Sequence, residues 1–172
     1  MRRFAILALG LAVFGAAGCD DDNNGPSQQP VVFTSQLRAS NEVPAIAGAE
    51  ANSQGTITIT FDVPRDASGN PTANGTWTIQ AVLSGFANDS VIRAGHIHNA
   101  PAGSNAGVFL GTNLSASNTV TLVNGAATVN IAGMPVTQAE AAAIMANPAG
   151  HYFNFHSNQN PGGVVRGQLV RQ

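Results

Sequence analysis

Hydrophobic and polar residues alternate with a period of two along much of this chain. Thr56-Ile57-Thr58-Ile59-Thr60-Phe61 is the cleanest case, with Ile57, Ile59 and Phe61 on one face and three threonines on the other. Strand geometry turns successive side chains to opposite faces, so the run predicts a half-buried β-strand. Phe33, Ser35 and Leu37 alternate likewise with Thr34 and Gln36. Trp77, Ile79, Ala81 and Leu83 repeat the pattern after a Pro/Gly/Asn-rich stretch from Pro64 to Gly75. Residues 120–123 and 127–131 flank Asn124-Gly125, which suits the positive φ values of a type I′ turn and predicts a hairpin. Two late strands, 151–156 and 164–170, flank a turn region at 158–163. Short alternating runs punctuated by turn residues predict an all-β sandwich or barrel.

One helix interrupts the strands. Thr137-Gln138-Ala139-Glu140 is a capping-box pattern, residues 141–146 are strong helix formers, and Asn147-Pro148 stops the run.

The same alternation separates two chemistries at the histidines. In Gly95-His96-Ile97-His98, the two imidazoles share one strand face and Ile97 takes the other. In Tyr152-Phe153-Asn154-Phe155-His156, His156 shares a face with Asn154 and Tyr152, while Phe153 and Phe155 point the opposite way. If these strands are neighbours, His96, His98 and His156 converge over a core of Ile97, Phe153 and Phe155.

The first residues do not read as part of the fold. Met1-Arg2-Arg3 is a short basic stretch, residues 4–14 are apolar, and Ala16-Ala17-Gly18 leads into Cys19, the only cysteine. The apolar run is short for a membrane span and fits an export signal, 1–18, with the closing residues of a bacterial lipobox. Cys19 then becomes the lipidated first residue of the mature protein, and the membrane a partner through it. Residues 19–30, with three aspartates directly after Cys19, read as a flexible acidic tether, which leaves a domain at 31–172. The location expected is the bacterial cell envelope, on its periplasmic or cell-surface side.

Charge narrows the partners further. Without Arg2 and Arg3 the chain carries five arginines, no lysine and nine acids, which makes nucleic acid a poor partner. A lone lipidated cysteine leaves no disulfide, so packing and strand pairing supply the stability.

Leu37-Arg38-Ala39-Ser40-Asn41-Glu42-Val43-Pro44, Ala94-Gly95-His96-Ile97-His98, Tyr152-Phe153-Asn154-Phe155-His156, Asn160-Pro161-Gly162-Gly163 and Arg166-Gly167-Gln168-Leu169 occur in that order. Together they resemble the CHRD domain, named after chordin, over roughly 32–169. In chordin the domain belongs to an extracellular antagonist of bone morphogenetic proteins. The resemblance implies a single antiparallel β-sandwich of Greek-key type, immunoglobulin-like or similar to copper/zinc superoxide dismutase, in an extracytoplasmic protein. It implies no reaction. His151 falls where that family is variable, and Val165 stands where an acidic residue is frequent.

Two readings of His96, His98 and His156 stand side by side. They form a copper or zinc site, since neutral imidazole suits both metals; or they are structural, bonded to Asn154, Tyr152 or loop carbonyls. Superoxide dismutases carry a similar His-x-His strand, but this chain lacks a bridging histidine and a second ligand set. A metal-dependent oxidoreductase is accordingly the weakest reading, and no residue is assigned as catalytic. Asn41, Glu42, Asn154 and Arg166 are expected as structural residues of the motifs. A bidentate Glu42–Arg166 pair would tie the first strand to the last, and Glu42 as a general base near a metal-bound water is the alternative. The function expected is a non-enzymatic extracytoplasmic binding module for a protein or another surface component, with copper or zinc binding as the sharper alternative.

Overall fold

A computed structural model describes residues 28–172. Its strands are β1 (Val31–Arg38), β2 (Gln54–Asp62), β3 (Gly75–Ser84), β4 (Val91–His98), β5 (Val108–Gly111), β6 (Val120–Thr121), β7 (Ala127–Val136), β8 (Tyr152–Ser157), β9 (Val165–Gln168) and β10 (Val170–Arg171). Among the described residues there is one α-helix, α1 (Gln138–Ala146), which lies between β7 and β8. Every pairing is antiparallel, in the order β5-β4-β8-β9-β1-β2-β3-β7, with β10 on β1 and β6 on β4. The all-β fold is therefore a single sheet that nearly closes on itself around one core. Among the described residues, no helix is long and apolar enough to cross a membrane. The expected signal peptide at 1–18, Cys19 and most of the expected tether at 19–30 lie outside the described residues. Gln28 donates to the Arg65 carbonyl at 2.6 Å, and Arg65 donates to that of Gln29.

The alternation seen in the sequence becomes the inside and outside of this sheet. Phe33, Leu37, Ile57, Ile59, Phe61, Trp77, Ile79 and Leu83 are all buried. Phe33, Phe61 and Trp77 meet edge to face at centroid distances of 5.5 and 6.3 Å. Close backbone approach is needed where β9 reaches β1. A Cβ on Gly167 would come within 2.2 Å of the Gln36 carbonyl oxygen, so only glycine fits there.

The hairpin expected around Asn124-Gly125 forms only at its turn. Both residues have positive φ, 52° and 71°, and Val123 bridges Ala126. The flanking segments then separate, with β6 pairing to β4 and β7 to β3. The turn thus joins the two ends of the strand order. The capping box of α1 forms as its sequence predicts, with Thr137 Oγ1 accepting from the Glu140 N–H at 3.2 Å and Glu140 Oε2 accepting from the Thr137 N–H at 2.8 Å.

A bulge in β4 between Ile92 and Ala94 sets the register that matters for the site. Beyond it Gly95 and Ile97 face the core, and His96 and His98 face out. A Cβ on Gly95 would lie 3.0 Å from the rings of Phe153 and Phe155, so the glycine makes room for that aromatic pair.

Candidate metal centre

β4 and β8 pair directly, with His96 opposite Asn154, His98 opposite Tyr152 and Ala94 opposite His156. Ile97, Phe153 and Phe155 are fully buried behind them. The outer face carries the imidazoles, yet loops 99–107 and 158–163 fold over it. His98 and Asn154 are buried there, while His96 and His156 are half-buried.

Both loops present carbonyl oxygens to the rings. His98 Nδ1 lies 3.0 Å from the carbonyls of Ala106 and Gly107, and His156 Nδ1 lies 2.8 Å from that of Pro161. A carbonyl can only accept, so each Nδ1 carries the proton. In the neutral rings Nε2 is left with a bare lone pair. Those two Nε2 atoms converge on Asn154 Oδ1, at 3.0 Å from His98 and 3.1 Å from His156. His96 Nδ1 comes within 3.1 Å of His156 Nε2.

One ligand atom from each histidine lies within 4.8 Å of the others. Metal–imidazole bonds of about 2.0–2.1 Å in a tetrahedron place nitrogens roughly 3.3 Å apart. The His96–His156 separation of 3.1 Å is close to that spacing. On the His96 side the neighbour in β5 is Gly111, whose missing side chain leaves the ring uncovered there.

Electrostatics favours uncharged rings at His96 and His156. Burial, then the fields of His156 and His98, pushes His96 down to about 4. Burial also lowers His156, partly opposed by the Pro161 carbonyl, which favours the protonated ring. Neutral imidazole is the form that binds metal.

The Glu42–Arg166 ion pair expected from the sequence is not made. Arg166 is buried and donates through Nη1 to Asn105 Oδ1 at 2.8 Å and through Nη2 to the Ser104 carbonyl at 3.1 Å. Its guanidinium lies over the Tyr152 ring, 4.1 Å from the centroid, and Tyr152 stacks on His98 at 4.7 Å. Arg166 therefore pins loop 99–107, whose carbonyls orient His98, instead of bridging the first strand to the last. That tie is made by Asn41 Nδ2, which donates to the Arg166 carbonyl at 3.0 Å. Glu42 is buried, and its Oε1 has no hydrogen-bond partner among the described residues. Burial pushes its carboxyl up to about 7, against the opposing field of Arg166 and the Asn154 amide. His151 sits apart from the cluster, its Nδ1 donating to the Asn147 carbonyl at 2.9 Å.

Glu50 is the important residue that sequence reasoning missed. It is buried and accepts from Ser90 Oγ, from Ser157 Oγ at 2.6 Å and from Asn160 Nδ2 at 2.5 Å. It thereby holds the 158–163 turn that carries Pro161 to His156. Its local sequence, Gly48-Ala49-Glu50-Ala51, gives no hint of burial.

The near-closed antiparallel sheet and its outward histidine face define an all-β domain with a polar site under two loops. The CHRD domain model matches residues 33–169, and the chain belongs to that family. At a coarse level this membership suggests a binding module. No curated protein and no solved structure matches the chain.

Proposed function

We propose that this protein is a lipid-anchored, extracytoplasmic binding module that holds a single copper or zinc ion on His96 Nδ1, His98 Nε2 and His156 Nε2. One observation carries the metal reading. The Nε2 atoms of His98 and His156 converge on one amide oxygen, with His96 Nδ1 3.1 Å from His156 Nε2, a set of lone pairs complementary to a cation once His96 Nδ1 is unprotonated. The carbonyls behind His98 and His156 supply the outer shell that fixes the tautomer of a metal-bound imidazole. A three-nitrogen set without thiolate suits copper and zinc, with copper the tighter by the general affinity order.

The reading is tested by titrating the protein with Cu(II) and Zn(II) in a calorimeter. One ion per chain is expected, with binding lost in His96→Ala and His156→Ala. Absence of stoichiometric binding, or binding that survives both substitutions, overturns it. The envelope location rests on the export signal and Cys19. Cys19→Ala should move the protein from the membrane to the soluble fraction, and unchanged partitioning would refute the anchor.

A further inference from the structure

Asn154 stands where the histidine cluster meets Glu42. Its Oδ1 faces His98 Nε2 and His156 Nε2 at 3.0 and 3.1 Å. Its Nδ2 turns the other way, toward Gly163. A Cβ on Gly163 would lie 2.8 Å from both Asn154 Nδ2 and Glu42 Oε1, so the amide and the carboxyl crowd the same point. That glycine sits at φ 134°, a conformation that also disfavours any side chain. Glu42 Oε1 is a buried oxygen with no hydrogen-bond partner among the described residues, a costly arrangement unless a neighbour can supply a donor.

The polarity of the amide depends on what lies between the rings. Oxygen toward two bare Nε2 lone pairs is repulsive alone and favourable with a cation among them. Turned end for end, the amide would give its two N–H groups to the two Nε2 atoms and its oxygen to Glu42. We infer that Asn154 is an outer-shell switch of the three-histidine site, turned by metal occupancy and held in its metal-loaded orientation by Glu42. Glu42 is thus a positioning residue for metal binding; it acts through Asn154 and touches no ligand.

The two orientations make different demands on Glu42. With metal present, Asn154 Nδ2 donates to the carboxylate. Without it, the Asn154 oxygen requires a proton on Glu42, and a carboxyl raised to about 7 by burial holds one readily near neutrality. Glu42 also lines two surface clefts, of about 350 and 460 Å³, formed with segment 40–47, loop 102–103 and the Asn160–Gly163 turn.

This inference rests on the metal reading above, and one experiment separates the two. Zn(II) affinity is measured for the parent protein, Glu42→Leu and Glu42→Gln, with folding checked by thermal melts. Glu42→Leu removes the acceptor, and its thermal melt establishes that the domain folds before affinities are compared. Its affinity should fall roughly tenfold or more, the usual scale for an outer-shell loss. Glu42→Gln keeps an acceptor and should stay within about threefold of the parent, since a single retained bond of ordinary strength preserves most of the effect. Proton–nitrogen spectra report the switch itself: the Asn154 side-chain amide signals, assigned by their loss in Asn154→Asp, should shift on Zn(II) loading in the parent protein. A parent that binds Zn(II) while Glu42→Leu binds equally well, or while the amide signals stay fixed, overturns the inference and leaves the metal site standing. A parent that binds no metal overturns the metal reading itself.

Discussion

Replacing Glu50 with alanine should cost this domain a large part of its stability, although no charge partner is lost. The carboxyl is 1% exposed and accepts from three neutral donors: Ser90 Oγ, Ser157 Oγ and Asn160 Nδ2. Ser90 and Ser157 are themselves buried, at 0 and 1% exposure, so neither hydroxyl finds solvent when the carboxyl goes. Each stranded donor costs about 1–3 kcal/mol. Ser157 Oγ keeps one partner as acceptor of the Asn160 N–H at 2.9 Å, and Asn160 is only half-buried. The sum is then about 3–6 kcal/mol, a severe loss against the 5–15 kcal/mol typical of natural domains. For a domain of this size it corresponds to a fall of roughly 10–20 °C in Tm. The assay is urea and thermal denaturation followed by the fluorescence of Trp77, the single tryptophan, which is fully buried. Adding Ser90→Ala to Glu50→Ala removes one stranded hydroxyl and should restore part of the loss, a coupling that a double-mutant cycle resolves. A loss below about 1 kcal/mol for Glu50→Ala, or strict additivity with Ser90→Ala, would refute the argument, because each stranded donor alone should exceed that.

Two further outcomes are expected. Arg166→Lys keeps the charge but loses the fork to Asn105 and Ser104 and the flat contact on Tyr152; it should cost about 2 kcal/mol and weaken Zn(II) binding, because the loop that orients His98 is released. Denaturation of the metal-free protein between pH 4.5 and 6.5 should reveal opposed linkages. His96, lowered from 6.5 to about 4 by folding, makes stability rise with pH across that window, because the unfolded chain binds more protons. Glu42, raised from 4.5 to about 7, binds its proton more tightly when folded and makes stability fall with pH over the same range. Glu42→Gln deletes only the second contribution, so its stability should climb more steeply with pH than the parent's; an unchanged slope would contradict the burial of that carboxyl.

How far the chain could be read without its structure varies by residue. Ile57, Ile59, Phe61 and Trp77 declared their strands and their inward faces, because a period of two is a local property of the backbone. The capping box of α1 was equally legible, since all its partners lie within three residues. The hairpin at Asn124-Gly125 was only half legible: the dipeptide fixes the turn, but the partners of β6 and β7 depend on how the sheet curls. The expected Glu42–Arg166 pair failed for a similar reason. Opposite charges attract in any sequence, but Asn105 and Ser104 occupy the guanidinium first, and nothing nearby in the sequence shows that loop 99–107 folds back over β9.

The sequence by itself determined which residues face which way. Alternation put His96, His98, Asn154 and His156 on outer faces, with Ile97, Phe153 and Phe155 behind them. Only the tertiary structure decided that these faces belong to adjacent strands and lie beneath two loops. It alone supplied the carbonyls of Ala106, Gly107 and Pro161 that face His98 and His156, and the buried Glu50 that holds the 158–163 turn in place. The physical reason is range. Strand periodicity acts between neighbours in the chain, whereas hydrogen-bond orientation and desolvation act between neighbours in space.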